Sequence, residues 1–240
     1  MISLAVLVAV WQSAPLPAVF PVGERFEYKA KFGVLSVGTG SIEVASIDTV
    51  RGQPAYHFRF GLDGSIPLFK IKSSLDSWTS RASFHTLRFR RESQENSRHY
   101  FRYWEILADS GYYRQVEPEL LANAPTPAEP LDDASFLYFV RTTPFEVGKT
   151  YRFDRYFRND RNPIVIKVLK RETMDLPDGS EVSCLVLNPV IGESGLFGPK
   201  AEARLWISED AQRVPVQIRS RYSFGTITLK LSRIVRSGSS

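Results

Sequence analysis

One stretch, residues 131–148 (LDDASFLYFVRTTPFEVG), breaks a chain that otherwise reads as β-strand. Phe136, Leu137 and Val140 fall at spacings that share one helical face. Asp132 or Asp133 can cap the start and sits at the positive end of the helix dipole. Pro144 pushes Thr143 out of the α region and ends the helix. So short a helix is not stable alone and must dock its apolar face on a sheet. Asp132, Ser135, Tyr138 and Arg141 recur every third residue and wind a polar stripe around the other side. The helix is therefore expected to be a plug closing one end of a barrel or sandwich. The second reading is a lid, with Tyr138 and Arg141 facing a cavity. The plug is preferred, because apolar stripes are usually core.

Strand signals surround it. Residues 25–32 alternate cleanly, with Phe26, Tyr28, Ala30 and Phe32 on one face and Arg25, Glu27, Lys29 and Lys31 on the other. Residues 55–62 alternate again, with Tyr56, Phe58, Phe60 and Leu62 inward and His57 and Arg59 outward. Further strands are expected over residues 36–48, where Gly38 and Gly40 suggest a bulge or close backbone approach. Others are expected over 70–79, 85–92, 98–107, 112–116, 151–158, 164–172, 181–190, 201–207, 214–223 and 226–235. Residues 66–69 read as an apolar loop or strand start. Pro118, Pro125, Pro127 and Pro130 mark 118–130 as an extended linker. Pro177-Asp178-Gly179 and Phe224-Gly225 read as turns. The fold class is mainly β: a strongly curved antiparallel sheet or barrel-like meander of roughly ten or more strands with one short central helix, since closure removes exposed edges.

Residues 2–11 (ISLAVLVAVW) are too short to span a bilayer as a helix and fit the apolar core of a secretory signal peptide. Residues 1–19 are assigned to that peptide and its cleavage region, with Ala14 and Ala18 as candidate last residues. No Lys or Arg precedes the run and neither alanine has a small residue two places earlier, so a buried N-terminal strand is the alternative. Residues 20–236 form a single β-rich domain and 237–240 a flexible tail. The expected location is the periplasm or cell envelope. No cysteine follows the apolar run, which disfavours a lipid anchor. Cys184 is the single cysteine, so neither a disulfide within the chain nor a thiolate metal cluster can form. It is expected to be a buried, inert thiol.

His57, His85 and His99 sit on strand patterns without metal spacing. No G-x-S-x-G or phosphate loop occurs; Gly192-Glu193-Ser194-Gly195 reads as a loop. Asp76 and Asp109 are candidate acids, but a lone Asp beside a turn is usually a turn residue. No catalytic residue, metal ligand or cofactor is assigned, and enzymatic activity is not expected. Two basic aromatic tracts stand out, SRHYFRYWE (97–105) and YRFDRYFRNDR (151–161). Such interleaving suits a solvated strand face first, lipid or glycan contact second, and nucleic acid last. Given export and a formal charge of +5, no nucleic-acid partner is expected.

The segments FPVGERFEYKAKFGVLSVGTGSIEV, LDDASFLYFVRTTPFEVGKTY and LWISEDAQRVPVQIRSRYSFGTITLKL carry a resemblance. The pieces are the Gly-Glu-x-x-x-Tyr entry, the helix motif Asp132, Ser135, Tyr138, Arg141, and the turn Trp206, Asp210, Pro215, Val216. Together they resemble the bacterial family called domain of unknown function 3108, over residues 20–235. That resemblance implies export to a Gram-negative-type envelope and transfers no activity or site residues. The expected function is non-enzymatic binding of a hydrophobic or anionic amphiphilic molecule, such as a fatty acid or phospholipid. Candidate binding residues are Arg141, Tyr138, Arg102, Arg155, Tyr28 and Phe58, the arginines meeting an anionic head group. The alternative is an adaptor that uses a sheet surface to bind an envelope protein.

Overall fold

The structure is a computed structural model and describes residues 20–66, 69–120, 122–193, 197–222 and 225–236. The expected signal peptide, the tail, Pro67 and Leu68, Ser194-Gly195 and Phe224 of the expected Phe224-Gly225 turn lie outside those residues.

The first meander comprises β1 (Arg25–Phe32), β2 (Leu35–Val50), β3 (Gln53–Ile66), β4 (Phe69–Ser80), β5 (Thr86–Glu95), β6 (Arg98–Leu107), β7 (Tyr112–Glu117) and β8 (Ala124–Pro125). The helix α1 (Asp133–Thr142) follows. The second meander comprises β9 (Thr150–Phe153), β10 (Ile164–Asp175), β11 (Glu181–Val190), β12 (Arg204–Ser208), β13 (Pro215–Tyr222) and β14 (Gly225–Val235). All fourteen strands form one antiparallel sheet in the order β8-β7-β6-β5-β4-β3-β2-β1-β14-β13-β12-β11-β10-β9. β1 and β14 join the two meanders, from Arg25↔Val235 to Phe32↔Ile227. The sheet does not close by strand pairing, so β8 and β9 are its edges.

Alternation decides which face is core. Phe26, Tyr28 and Ala30 are buried while Lys29 is exposed. Gly38 behaves as its spacing suggests, whereas a Cβ on Gly40 would stand 3.4 Å from its nearest neighbours, an ordinary contact. The β1–β2 register shifts between Ala30 and Lys31, opposite Gly38. A Cβ on Gly38 would stand 2.0 Å from the Asp63 carbonyl oxygen, so β2 and β3 approach closely only because that side chain is absent.

The expected linker is not a free spacer. It contains β8, and its end straps the open seam. Phe157 N–H donates to the Leu131 carbonyl at 2.9 Å and Thr126 Oγ1 to the Phe157 carbonyl at 2.9 Å. Leu131 N–H donates to the Arg155 carbonyl. The expected strand over 151–158 accordingly stops at Phe153, because residues 155–157 bond the strap instead.

α1 is the plug. Its residues 134–141 are all buried, with Phe136 and Val140 fully inaccessible. The helix sits inside the curve of the sheet, and Phe136 meets Phe197 edge-on at 5.3 Å between ring centroids. The apolar face does what its period predicts. The polar stripe does not stay solvated: the interior of so wide a sheet surrounds the helix on every side.

Candidate functional site

The buried stripe anchors the plug. Asp132 is the N-cap of α1; its Oδ1 accepts from Ala134 N–H at 2.8 Å and Ser135 N–H at 2.9 Å. Its Oδ2 accepts from Ser77 Oγ at 2.5 Å on β4 and Thr86 Oγ1 at 2.8 Å on β5. Burial pushes the Asp132 carboxyl up to about 6, against the pull of those hydrogen bonds. At the other end, Arg141 Nη1 and Nη2 donate to Glu24 Oε1 at 2.6 Å and Oε2 at 3.0 Å. Arg141 also donates to the carbonyls of Arg213 at 3.2 Å and Gln212 at 3.1 Å. Its guanidinium lies 5.0 Å from the ring centroids of Phe20 and Phe26 and 5.4 Å from that of Tyr138.

This places four of the candidate binding residues in the packed interior. Tyr138 stacks on Phe58 at 3.7 Å. Tyr28 is buried and its hydroxyl donates to the Pro215 carbonyl at 2.8 Å. Arg141 spends its donors on Glu24 and two carbonyls. The aromatic faces of β1 and β3 are therefore filled by α1. Arg155 is a clasp on the seam strap, donating to the carbonyls of Glu129 at 2.8 Å and Phe84 at 3.0 Å, with its guanidinium 4.9 Å from the Phe139 ring.

Arg102 lies elsewhere, in a cleft of about 240 Å³. The two basic aromatic tracts form its opposite walls. The inner face of β5 and β6 supplies Phe89, Arg91, Tyr100, Arg102 and Trp104; the far wall is Tyr156, Phe157, Arg158 and Arg161. Phe89, Trp104 and Phe157 make the floor, with Phe89 and Trp104 stacked at 5.4 Å and Phe157 at 5.9 and 5.7 Å from them. Arg91 and Arg102 are direct cross-strand partners, both exposed. Neither has an ion-pair partner among the described residues. Like charges directly opposed destabilise a sheet. The other two arginines are partly neutralised. Arg158 pairs with Asp160 at 2.5 Å, and Arg161 with Asp133 at 3.2 Å. Arg161 also covers the Tyr156 ring at 4.2 Å. Gly192 permits this approach, since a Cβ there would stand 2.8 Å from Arg161 Nε.

Sequence reasoning selected Arg102 from this cleft and missed Arg91, Arg158 and Arg161. Alternation placed Arg91 with Phe89, so its side was legible. Arg158 and Arg161 lie past the end of β9, where strand parity no longer says which way a side chain points.

The outer face carries a second polar assembly. Asp76 lies mid-strand in β4 and is fully buried, a correction to its reading as a turn residue. It accepts from His57 Nε2 and Arg59 Nε, each at 2.7 Å, and from Arg90 at 3.0 Å. Burial raises its carboxyl, but these bonds outweigh burial and hold it well below the usual range. Trp78 stacks on His57 at 4.5 Å and lies under Arg88. Asp109 does sit in the β6–β7 turn. A larger, open trough of about 660 Å³ runs beside this assembly, but its Arg25 and Arg59 already pair with Glu43 and Asp76. Cys184 is fully buried, and burial pushes its thiol up to about 12. Among the described residues no group of three or more His, Cys, Asp or Glu is placed to hold a metal.

The family profile described as "Protein of unknown function (DUF3108)" matches residues 27–232, so the chain belongs to that family. No curated protein matches significantly. Among solved structures, the chain is similar to a beta-barrel-like protein of domain of unknown function DUF1849 from Brucella abortus. The two share 12% identity over 92% of this chain and 100% of that one, with a TM-score of 0.57. At that identity the likeness is one of fold.

Proposed function

With membership in that family as premise, we propose that this is an exported envelope protein that binds an anionic amphiphile in the cleft of Arg91 and Arg102, without catalysis. The carrying observation is the unneutralised Arg91–Arg102 pair set directly over an aromatic floor. An anion between two guanidiniums relieves their repulsion and gains charge-assisted hydrogen bonds. Phe89, Trp104 and Phe157 offer apolar area beneath it. The volume suits a head group and the first part of a chain, not a whole lipid, because α1 fills the interior. The apolar run at residues 2–11 supports export.

Native mass spectrometry of protein purified from the envelope without detergent, followed by lipid extraction, tests the reading. The expected result is a bound anionic amphiphile on a chain lacking residues 1–11. A fluorescent fatty acid should bind wild type and fail to bind Arg91→Glu or Arg102→Glu. Arg102→Gln separates binding from folding. It removes half of a like-charge pair, so the unliganded variant should melt no lower than wild type while losing the ligand-induced shift. Ligand-free protein that binds no probe would sink the proposal and favour the adaptor reading.

A further inference from the structure

The β1–β2 connection is a two-residue turn at residues 33–34, between the paired Phe32 and Leu35. Turn apices favour Gly, Asn and Asp. Gly33 supplies the left-handed position with φ 59°, but the other apex residue is Val34, 91% exposed, followed by Leu35 at 62%. Turn chemistry does not ask for either, and neither packs on the core. Around this tip the outer face is basic. Lys29 is directly opposite Lys230, and Lys31 lies two residues nearer the tip. Lys72 follows across the register from Lys29 through Thr39 and Asp63. Lys70 lies beside it at the start of β4. None of these five lysines has an ion-pair partner among the described residues. Asp63 is the carboxylate set among them.

The same end carries the mouth of the cleft. Lys70 and Asn96 exchange backbone and side-chain hydrogen bonds of 2.8 Å, which fixes the β5–β6 turn beside the start of β4. Glu95 and Tyr100, next to that turn, line the cleft, and Tyr100 is 43% exposed. Apolar side chains at a tip, an aromatic ring at the same end of the sheet and lysines without ion-pair partners behind the tip form the pattern by which peripheral proteins rest on anionic bilayers.

We propose that this end of the sheet docks on an anionic lipid bilayer surface, with Val34 and Leu35 entering the head-group layer and Lys29, Lys31, Lys70, Lys72 and Lys230 resting on it. The charge complementarity commits the surface to a membrane. Docking stands independently of the cleft's ligand, but it would face the cleft mouth toward the source of an amphiphile.

Vesicle sedimentation of the full chain tests the proposal. Wild type should bind phosphatidylglycerol-containing vesicles, fail to bind pure phosphatidylcholine, and release in salt. Neutralising Lys29, Lys31 or Lys70 to Gln should each weaken binding about fivefold. The double variant Val34→Asp/Leu35→Asp alters only exposed positions and should weaken binding about tenfold or more. Fatty-acid binding should be unchanged in all these variants, which separates docking from the cleft. Wild type that ignores anionic vesicles overturns the proposal. So does a double variant that binds them equally well, or one that loses only self-association, which would make the tip a contact between copies of the chain.

Discussion

Arg141→Met should be among the most damaging single changes in the domain. The side chain is 5% exposed and its Glu24 partner 12%. The substitution keeps most of the aliphatic volume but removes four hydrogen bonds and the charge that sits among three rings. What remains is a nearly buried Glu24 carboxylate with no counter-charge. Breaking one partner of a buried pair costs about 3–5 kcal/mol. A domain of this size loses roughly 2–4 °C per kcal/mol, so melting should fall by about 6–20 °C. Replacing both partners by apolar groups leaves no orphaned charge. Arg141→Met/Glu24→Leu should therefore recover much of the loss. Calorimetry on the wild type, both single variants and the double variant closes the cycle. A single variant melting within about 1 °C of wild type would refute the reasoning. A double variant no better than Arg141→Met would equally show that the pair does not act as a unit.

Two further expectations concern the same plug. The Asp132 carboxyl, raised to about 6 by burial, binds its proton more tightly folded than unfolded. Its contribution is complete below the ordinary carboxylate range and is lost as pH rises to about 6. Denaturant melts across pH should show wild type losing stability relative to Asp132→Asn between about 4 and 6 and running parallel above; a flat difference would contradict it. The Tyr138 hydroxyl is buried without a hydrogen-bond partner among the described residues. Tyr138→Phe should therefore be as stable as wild type or up to about 1 kcal/mol more so by thermal denaturation, whereas a clear loss would reveal a bond to that hydroxyl.

Period-two alternation made the strands legible, and period 3.6 made α1 legible, because both arise from local geometry. Phe136 and Val140 were readable as core for the same reason. The partner of Arg141 was not. Glu24 lies 117 residues away, and only the curvature of the sheet brings it to the helix. Asp76 misled because its partners His57, Arg59 and Arg90 come from two neighbouring strands. The cleft was half visible. Both tracts were recognisable by composition, yet nothing within either one says that they face each other. That depends on the strap between residues 126–131 and 155–157.

The sheet order also bears on how the chain assembles. Every strand-to-strand pairing joins sequence neighbours except one, where β1 meets β14, while β8 and β9, consecutive in the chain, are the two edges. Each meander is thus wired locally, and local pairings are the fast ones. The two are mated by a single ladder whose residues stand at opposite ends of the domain, from Arg25↔Val235 onward. Closing so long a loop is slow on entropic grounds. During synthesis β1 must wait, its hydrogen-bonding edge open, until the last strand has left the ribosome. A circular permutant joined across residues 25 and 235 and opened between α1 and β9 would have strands in the same order along the chain as across the sheet. In such a chain the waiting strand disappears, and with it the interval in which an unpaired edge is available to another molecule.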